Sequence, residues 1–251
     1  MNALSVVIIT FNEKDNIARC ISSVKKIADE IIVLDSNSTD GTNEIASSLG
    51  ASVFQHPFQG YAAQKNHATS LARNNWILSL DADEEVSPTL LASISDTLQN
   101  PRHTVYQMPR LTSYCGHWIR HCGWYPDRQT RLFDRNTGKW KELSVHEYWE
   151  SNDPGQKKGL LHGNLLHYSF NSVADHLRKI DRYTQLAATD AAAKGKSATL
   201  LKIILSPFWH FFSEYFLKLG FLDGYYGFVV CRLSAYSAYI KYTRIRQLAK
   251  K

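Results

Sequence analysis

Apolar positions fall into two rhythms along this chain. LSVVII (4–9) and EIIVLD (30–35) are short continuous runs, rich in β-branched residues, of the kind covered on both faces of a sheet. ASVFQ (51–55) and NWILSL (75–80) repeat that pattern. Between them the spacing turns helical: Ile17, Cys20, Ile21, Val24 and Ile27 share one face, TNEIASSLG closes on Gly50, and YAAQKNHATSLAR fills 61–73. This alternation over roughly the first 80 residues predicts an α/β fold with a mainly parallel, Rossmann-like sheet flanked by helices.

Ligands bind such sheets beyond the carboxyl ends of the strands. Three polar clusters fall at those ends: TFNE (10–13), DSNSTDGT (35–42) and DADEE (81–85). From about 103 to 146 the segments shorten (TVYQMPRL, RQTRLFDR, TGKWKELSV), which predicts antiparallel additions with loops forming a pocket wall. SVAD at 172–175 has capping-box form and predicts a long helix to about Lys194. Aromatic stretches at 198–219 and 221–245 complete a helical C-terminal appendage, with Pro207 expected to break the first of them. The predicted division is an α/β domain at 1–170 and a helical region at 171–251.

Charge sharpens that division. Residues 200–251 carry eight basic side chains (Lys202, Lys218, Arg232, Lys241, Arg244, Arg246, Lys250 and Lys251) against Glu214 and Asp223, which accounts for the whole formal charge of +6. Aromatic and basic together, this tail suits an anionic membrane surface, or else helices that simply pack on the domain. Lys202, Glu214, Asp223 and Arg232 interrupt every stretch long enough to span a bilayer. Nucleic acid is not expected as a partner, since the aromatic residues lie within apolar helical runs. Four irregularly spaced cysteines and no signal-like N-terminus point to a reducing cytoplasm. CGHWIRHC (115–122) packs two Cys and two His into too short a segment to wrap one zinc ion comfortably, and reads as a loop.

No GxGxxG follows the first strand and no P-loop occurs, so a phosphate ligand needs a metal or basic side chains to neutralise it. Asp81 and Asp83 would point to one side if strand geometry continues past Leu80, and paired carboxylates suit Mg²⁺ or Mn²⁺. The alternative is an acidic start to the helix near Ser87.

VVIITFNE, VLDSNSTDGT, GYAAQKNHA and WILSLDADE, in this order, together with PDRQTRLFDR, GKW and VHE, resemble the inverting glycosyltransferases of family 2, which have a GT-A fold. The closing GFLDGYYGFVVCRLSAYSAYIKY resembles the branch that adds β-glucose to the lipopolysaccharide core. The resemblance implies a UDP-sugar donor, a heptose acceptor and a divalent metal on the DxD pair Asp81 and Asp83, Asp83 being the direct ligand. It places Thr10, Asn12, Glu13 and Asp35 at the nucleoside, and Lys65 and Asn66 near ribose and diphosphate. Arg128 and Arg131 are offered to phosphate or to internal ion pairs. Asp127 is the implied base, with Glu147 its rival. His167 is a third metal ligand in this reading, with His146 behind it, and Trp124 and Tyr125 would stack on a sugar. Other readings keep the fold: transfer to a polyprenyl phosphate, or a degenerate nucleotide-binding protein recruited to the membrane. The expected location is cytoplasmic, peripheral on the inner membrane.

Overall fold

Alternate side chains of β1 (Leu4–Thr10) enter two different cores: Leu4, Val6 and Ile8 on one face, Val7 and Ile9 on the other. That two-sided burial explains why the strand is an unbroken apolar run. The computed structural model describes residues 2–143 and 146–249. After β1 come α1 (Ile17–Val24), β2 (Glu30–Asp35), α2 (Thr42–Ser48), β3 (Ser52–Gln55), α3 (Tyr61–Leu71) and β4 (Trp76–Asp81). Strands β3, β2, β1 and β4 lie side by side and parallel, as the alternation predicts. Helix α1 and α4 (Pro88–Gln99) bury Ile17, Ile21, Leu90 and Ile94 against one face, and α3 covers the other with Ala62 and Ala68.

The later strands are mainly antiparallel additions, the short β11 (Gly159–Leu160) being parallel to its neighbour. β8 (Asp127–Asp134) pairs antiparallel with β4, and β6 (Val105–Tyr114) with β8. β5 (Glu84–Val86) pairs antiparallel with β12 (Leu165–Phe170), β11 joins β6, and β7 (His117–Ile119) forms a hairpin with β6. A separate ribbon, β9 (Gly138–Leu143) with β10 (His146–Ser151), places Trp140 opposite Trp149. Both indoles pack on Phe133, Trp149 stacking at 3.8 Å between ring centres.

The chain forms two compact units, one of residues up to 110 with 127–168, the other of 111–126 with 169–251. In the second, α5 (Val173–Ala193) begins where the Ser172 hydroxyl accepts from the Asp175 N–H, as SVAD predicts. α6 (Leu200–Phe212) and α5 both pack on α7 (Gly224–Leu248). Gly227 permits a close approach, since a Cβ there would lie 2.0 Å from the Gly220 carbonyl oxygen. Pro207 does not break α6 as expected but lies inside it. Its ring denies the Ile203 carbonyl an amide partner, yet Ile203 is buried with Ile245 and packing along α7 holds the turn together. Among the described residues no helix is long and apolar enough to cross a membrane. All four cysteines are free thiols, and Cys115 forms the β6–β7 turn with Gly116, both at positive φ. Lys250 and Lys251 lie outside the described residues.

Candidate active site

The strand register assembles the rim. Thr10 stands opposite Asp35, and Ile9 opposite Asp81, so three of the predicted residues meet at the carboxyl ends of β1, β2 and β4. Asp35 is fully buried and accepts from the Ser38 N–H at 2.7 Å, the Ser38 hydroxyl and Asn43 Nδ2 at 3.1 Å, which shapes its own loop. Asn12, at φ 53°, ties to the same loop: its N–H donates to Ser38 Oγ and its Oδ1 accepts from the Thr39 N–H. Glu13 donates its N–H to Thr42 Oγ1 and accepts from Asn16. The Thr10 hydroxyl is buried without a hydrogen-bond partner among the described residues.

The four acids of DADEE acquire different partners. β4 ends at Asp81, the chain turns through Ala82 and Asp83, and the Glu84 carboxylate closes the turn by accepting from the Asp81 N–H at 3.0 Å. Strand geometry therefore does not carry Asp81 and Asp83 to one side as expected. Nor do the acids open a helix, because α4 has no acidic residue in its first turn and is capped by Ser87. Asp81 meets Arg131 at 2.5 Å and Lys65 at 3.1 Å. Asp83 lies 3.2 Å from His167 Nε2. Glu84 reaches Arg131 at 2.7 Å and Arg110 at 3.4 Å, and Glu85 accepts from the Tyr168 hydroxyl and faces Arg19. Burial opposes ionisation of Asp81, yet Arg131 and Lys65 hold its carboxyl far below the usual range. The same carboxylates keep buried Arg131 firmly protonated.

Lys65 is fully buried on α3 and also binds Glu147 of β10 at 2.5 Å. Burial raises the Glu147 pKa, but Lys65 outweighs it and the net shift is downward. Asn66 exchanges two hydrogen bonds with the Trp140 backbone, each 2.9 Å, and so fastens the ribbon that carries Glu147. Asp127 is the first residue of β8. Its Oδ2 accepts from Arg110 Nε and Nη2 at 2.9 and 2.7 Å, and its Oδ1 from Gln129 at 2.8 Å. Arg128 is exposed on the same strand. The side chain of His146 lies outside the described residues.

Two members of this constellation escaped the sequence reading. Glu84 was visible only as one acid among four, and Arg110 as a cation in a strand-like run. Their signal is the pairing of β6 with β8, which sets Arg110 opposite Asp127. Trp124 and Tyr125 belong to the second unit, where Trp124 packs edge-on against Tyr114 and beside Phe170 in an aromatic cluster.

The donor set at the rim suits a divalent ion. A hard carboxylate and an imidazole stand side by side in Asp83 and His167, and Asp81 Oδ1 is buried yet accepts no hydrogen bond of good geometry. Lys65, Arg110 and Arg131 face four carboxylates (Asp81, Glu84, Asp127 and Glu147), and Asp83 adds a fifth beside His167, so negative charge is in surplus. Donor type and charge fit Mg²⁺ or Mn²⁺, which complete their shells with substrate phosphate and water. Among the described residues no three His, Cys, Asp or Glu side chains form a ready cluster.

A parallel sheet with a charged rim at its switch point, extended by antiparallel strands, is the GT-A arrangement of a nucleotide-sugar glycosyltransferase. The chain belongs to glycosyl transferase family 2, whose model matches residues 5–160. It is 33% identical over 260 residues to an uncharacterized glycosyltransferase of Rickettsia prowazekii (strain Madrid E), covering 100% of this chain and 89% of the relative. It is 30% identical over 266 residues to the lipopolysaccharide core biosynthesis glycosyltransferase LpsC of Rhizobium meliloti (strain 1021), covering 97% and 92%. Among solved structures, glucosyl-3-phosphoglycerate synthase from Mycobacterium tuberculosis, in complex with Mn²⁺, UDP and glucosyl-3-phosphoglycerate, aligns at 23% identity and TM-score 0.38 over 45% of this chain and 44% of that one.

Proposed function

We propose that this glycosyltransferase moves a sugar, glucose in our reading, from a UDP-sugar to the inner-core heptose of lipopolysaccharide, inverting the anomeric carbon. The observation that carries the reading is the carboxylate-rich rim where β1, β2 and β4 end. Likeness to LpsC along nearly the whole chain supports the acceptor class. Thr10, Asn12, Glu13 and Asp35 receive the nucleoside, the unbonded Thr10 hydroxyl being free to donate to it. Mg²⁺ or Mn²⁺ held by Asp83 and His167 would neutralise charge developing on the leaving diphosphate. Lys65 and Arg131 act through Asp81, fixing its position and ionisation, and Asn66 fixes Glu147. Arg128, exposed on β8, is the cation offered to phosphate.

Asp127 is the base. Its carboxylate is 37% exposed and open to an acceptor hydroxyl, whereas that of Glu147 is 19% exposed. As the acceptor oxygen bonds to the anomeric carbon and the bond to diphosphate breaks, the hydroxyl proton passes to Asp127 and UDP departs. Arg110 keeps Asp127 oriented. The enzyme works on the cytoplasmic face of the inner membrane, with residues 171–251 binding its surface.

UDP release across a panel of nucleotide sugars, with and without heptose-containing core oligosaccharide, tests this. UDP-glucose should turn over only with acceptor and divalent metal, and Asp83→Ala should lose about a thousandfold in rate. Full activity in that variant, or no turnover with any donor, overturns the reading. Product appearing only in a lipid extract would move the acceptor to a polyprenyl phosphate.

A further inference from the structure

The second unit displays an apolar surface that its own fold leaves uncovered. Along α6, Leu201, Ile204, Phe208 and Trp209 are each more than half exposed, Phe208 at 71%. On α7 the exposed residues Tyr225, Phe228, Arg232, Tyr236 and Tyr239 recur every three or four positions and therefore share one face. A cavity of about 370 Å³ runs between these helices. Ile203 and Ala235 form its buried floor, Ile204, Phe208, Tyr236 and Tyr239 its walls, and Arg232 is its one charged lining residue.

The charge of this surface is more one-sided than the sequence suggests. Both acids of the tail turn inward. Asp223 is 7% exposed and is held by the Arg120 and His121 backbone N–H groups and the His121 ring. Glu214 is 15% exposed, and burial raises its pKa. Lys202, Arg232 and Lys241 have no carboxylate partner among the described residues; Lys202 and Lys241 both rest on the Tyr242 ring. Cations without anions, around an apolar groove, complement an anionic amphiphile. A second copy of the chain is a poor occupant, because two-fold pairing sets the same patch against itself and brings like charges together.

We propose that the α6–α7 groove binds one anionic glycerophospholipid, its phosphate on Arg232 and an acyl chain along Ile203, Pro207 and Ala235, while the flanking aromatic residues enter the interface. Arginine forks match phosphate oxygens, and a groove of this volume suits a chain better than a whole lipid. The site rests on the peripheral-membrane reading above and gives it a defined ligand.

The full chain is floated with phosphatidylcholine vesicles, with and without phosphatidylglycerol, and examined by native mass spectrometry after mixing with phosphatidylglycerol. Wild type should bind only the anionic vesicles and retain one lipid per chain. Arg232→Gln should weaken vesicle binding about fivefold, and both it and the groove-filling Ala235→Trp should lose the retained lipid. Arg232 is exposed, so its variant keeps the test open if Ala235→Trp fails to fold by circular dichroism. Vesicle binding with no retained lipid, or with both variants unchanged, overturns the lipid site and leaves peripheral binding standing. No vesicle binding at all overturns both, and a dimer dispersed by Phe208→Glu would assign the face to a second copy instead. Transfer to a soluble acceptor is unaffected by either outcome.

Discussion

Around the end of β4, Lys65, Arg131 and Glu84 have lost almost all contact with water, whereas on α6 Leu201, Phe208 and Trp209 keep more than half of their surface in it. The first region buries what solvent favours and the second exposes what solvent rejects. Each costs stability. Taking an ion out of water carries a penalty of several kcal/mol unless partners surround it, and each large apolar side chain left outside forgoes roughly 1.5–3 kcal/mol. The compensation differs. The rim solves its problem internally, with cations from α3, β6 and β8 set among carboxylates from β4, β5, β8 and β10. The helical face has no internal answer, which is why its compensation is sought in a partner. Local rules broken in these two ways mark where a chain does something besides fold.

The sharpest way to break the comparison is Arg131→Met. It leaves Asp81 and Glu84 without their shared cation, and the denaturation free energy should fall by about 3–5 kcal/mol. Arg131→Lys should recover part of that, since it keeps the positive charge but is too short to bring its nitrogen to where Nη2 meets both carboxylates. A loss below about 1 kcal/mol, within the range of an exposed ion pair, would mean the rim is not a buried network.

Asp127→Asn tests whether the more exposed carboxylate performs the chemistry. We expect kcat to drop about 10²–10⁴-fold with little change in KM or melting temperature. If Glu147→Gln shows that pattern and Asp127→Asn does not, the base lies on β10 instead.

The third test is smaller and concerns pH. His176 lies in the aromatic cluster of the second unit beside Phe170, and burial, with help from Lys179, lowers its pKa from 6.5 to about 4. A group whose folded pKa is depressed binds its proton more readily when unfolded, so stability rises with pH across the gap. The denaturation midpoint should hold above pH 6.5, fall as pH drops toward 4, and lose that slope in His176→Phe. The smallest effect belongs to the exposed face. Leu201→Ser should change stability by no more than about 0.5 kcal/mol while weakening attachment to anionic vesicles; a large loss of stability would show that the face is core.

Much of the first unit was legible because its signals are local. β-branched runs, helical spacing and polar strand ends follow from one-dimensional periodicity, so the parallel order and the rim positions of Thr10, Asp35 and Asp81 could be read in advance. SVAD was equally local, and its cap formed at Ser172. Pro207 was misread because local propensity favours a break, while burial of Ile203 against the third helix of the unit is not local. The partners of the acids were illegible for the same reason: Arg131 lies 50 residues from Asp81, and Glu147 lies 82 from Lys65.

The sequence by itself determined the family, the order of strands and helices, and the end of the sheet at which Thr10, Asp35 and Asp81 gather, since each follows from patterns a few residues long. Tertiary structure alone decided how the DADEE charges are shared. It turned the chain at Asp83, sent Glu84 inward to two arginines and gave Asp127 to Arg110. It also decided that the tail's acids are hidden while its cations and aromatic rings are not. Charge pairing and exposure are properties of distance in space, and distance in space is fixed only when separate elements pack.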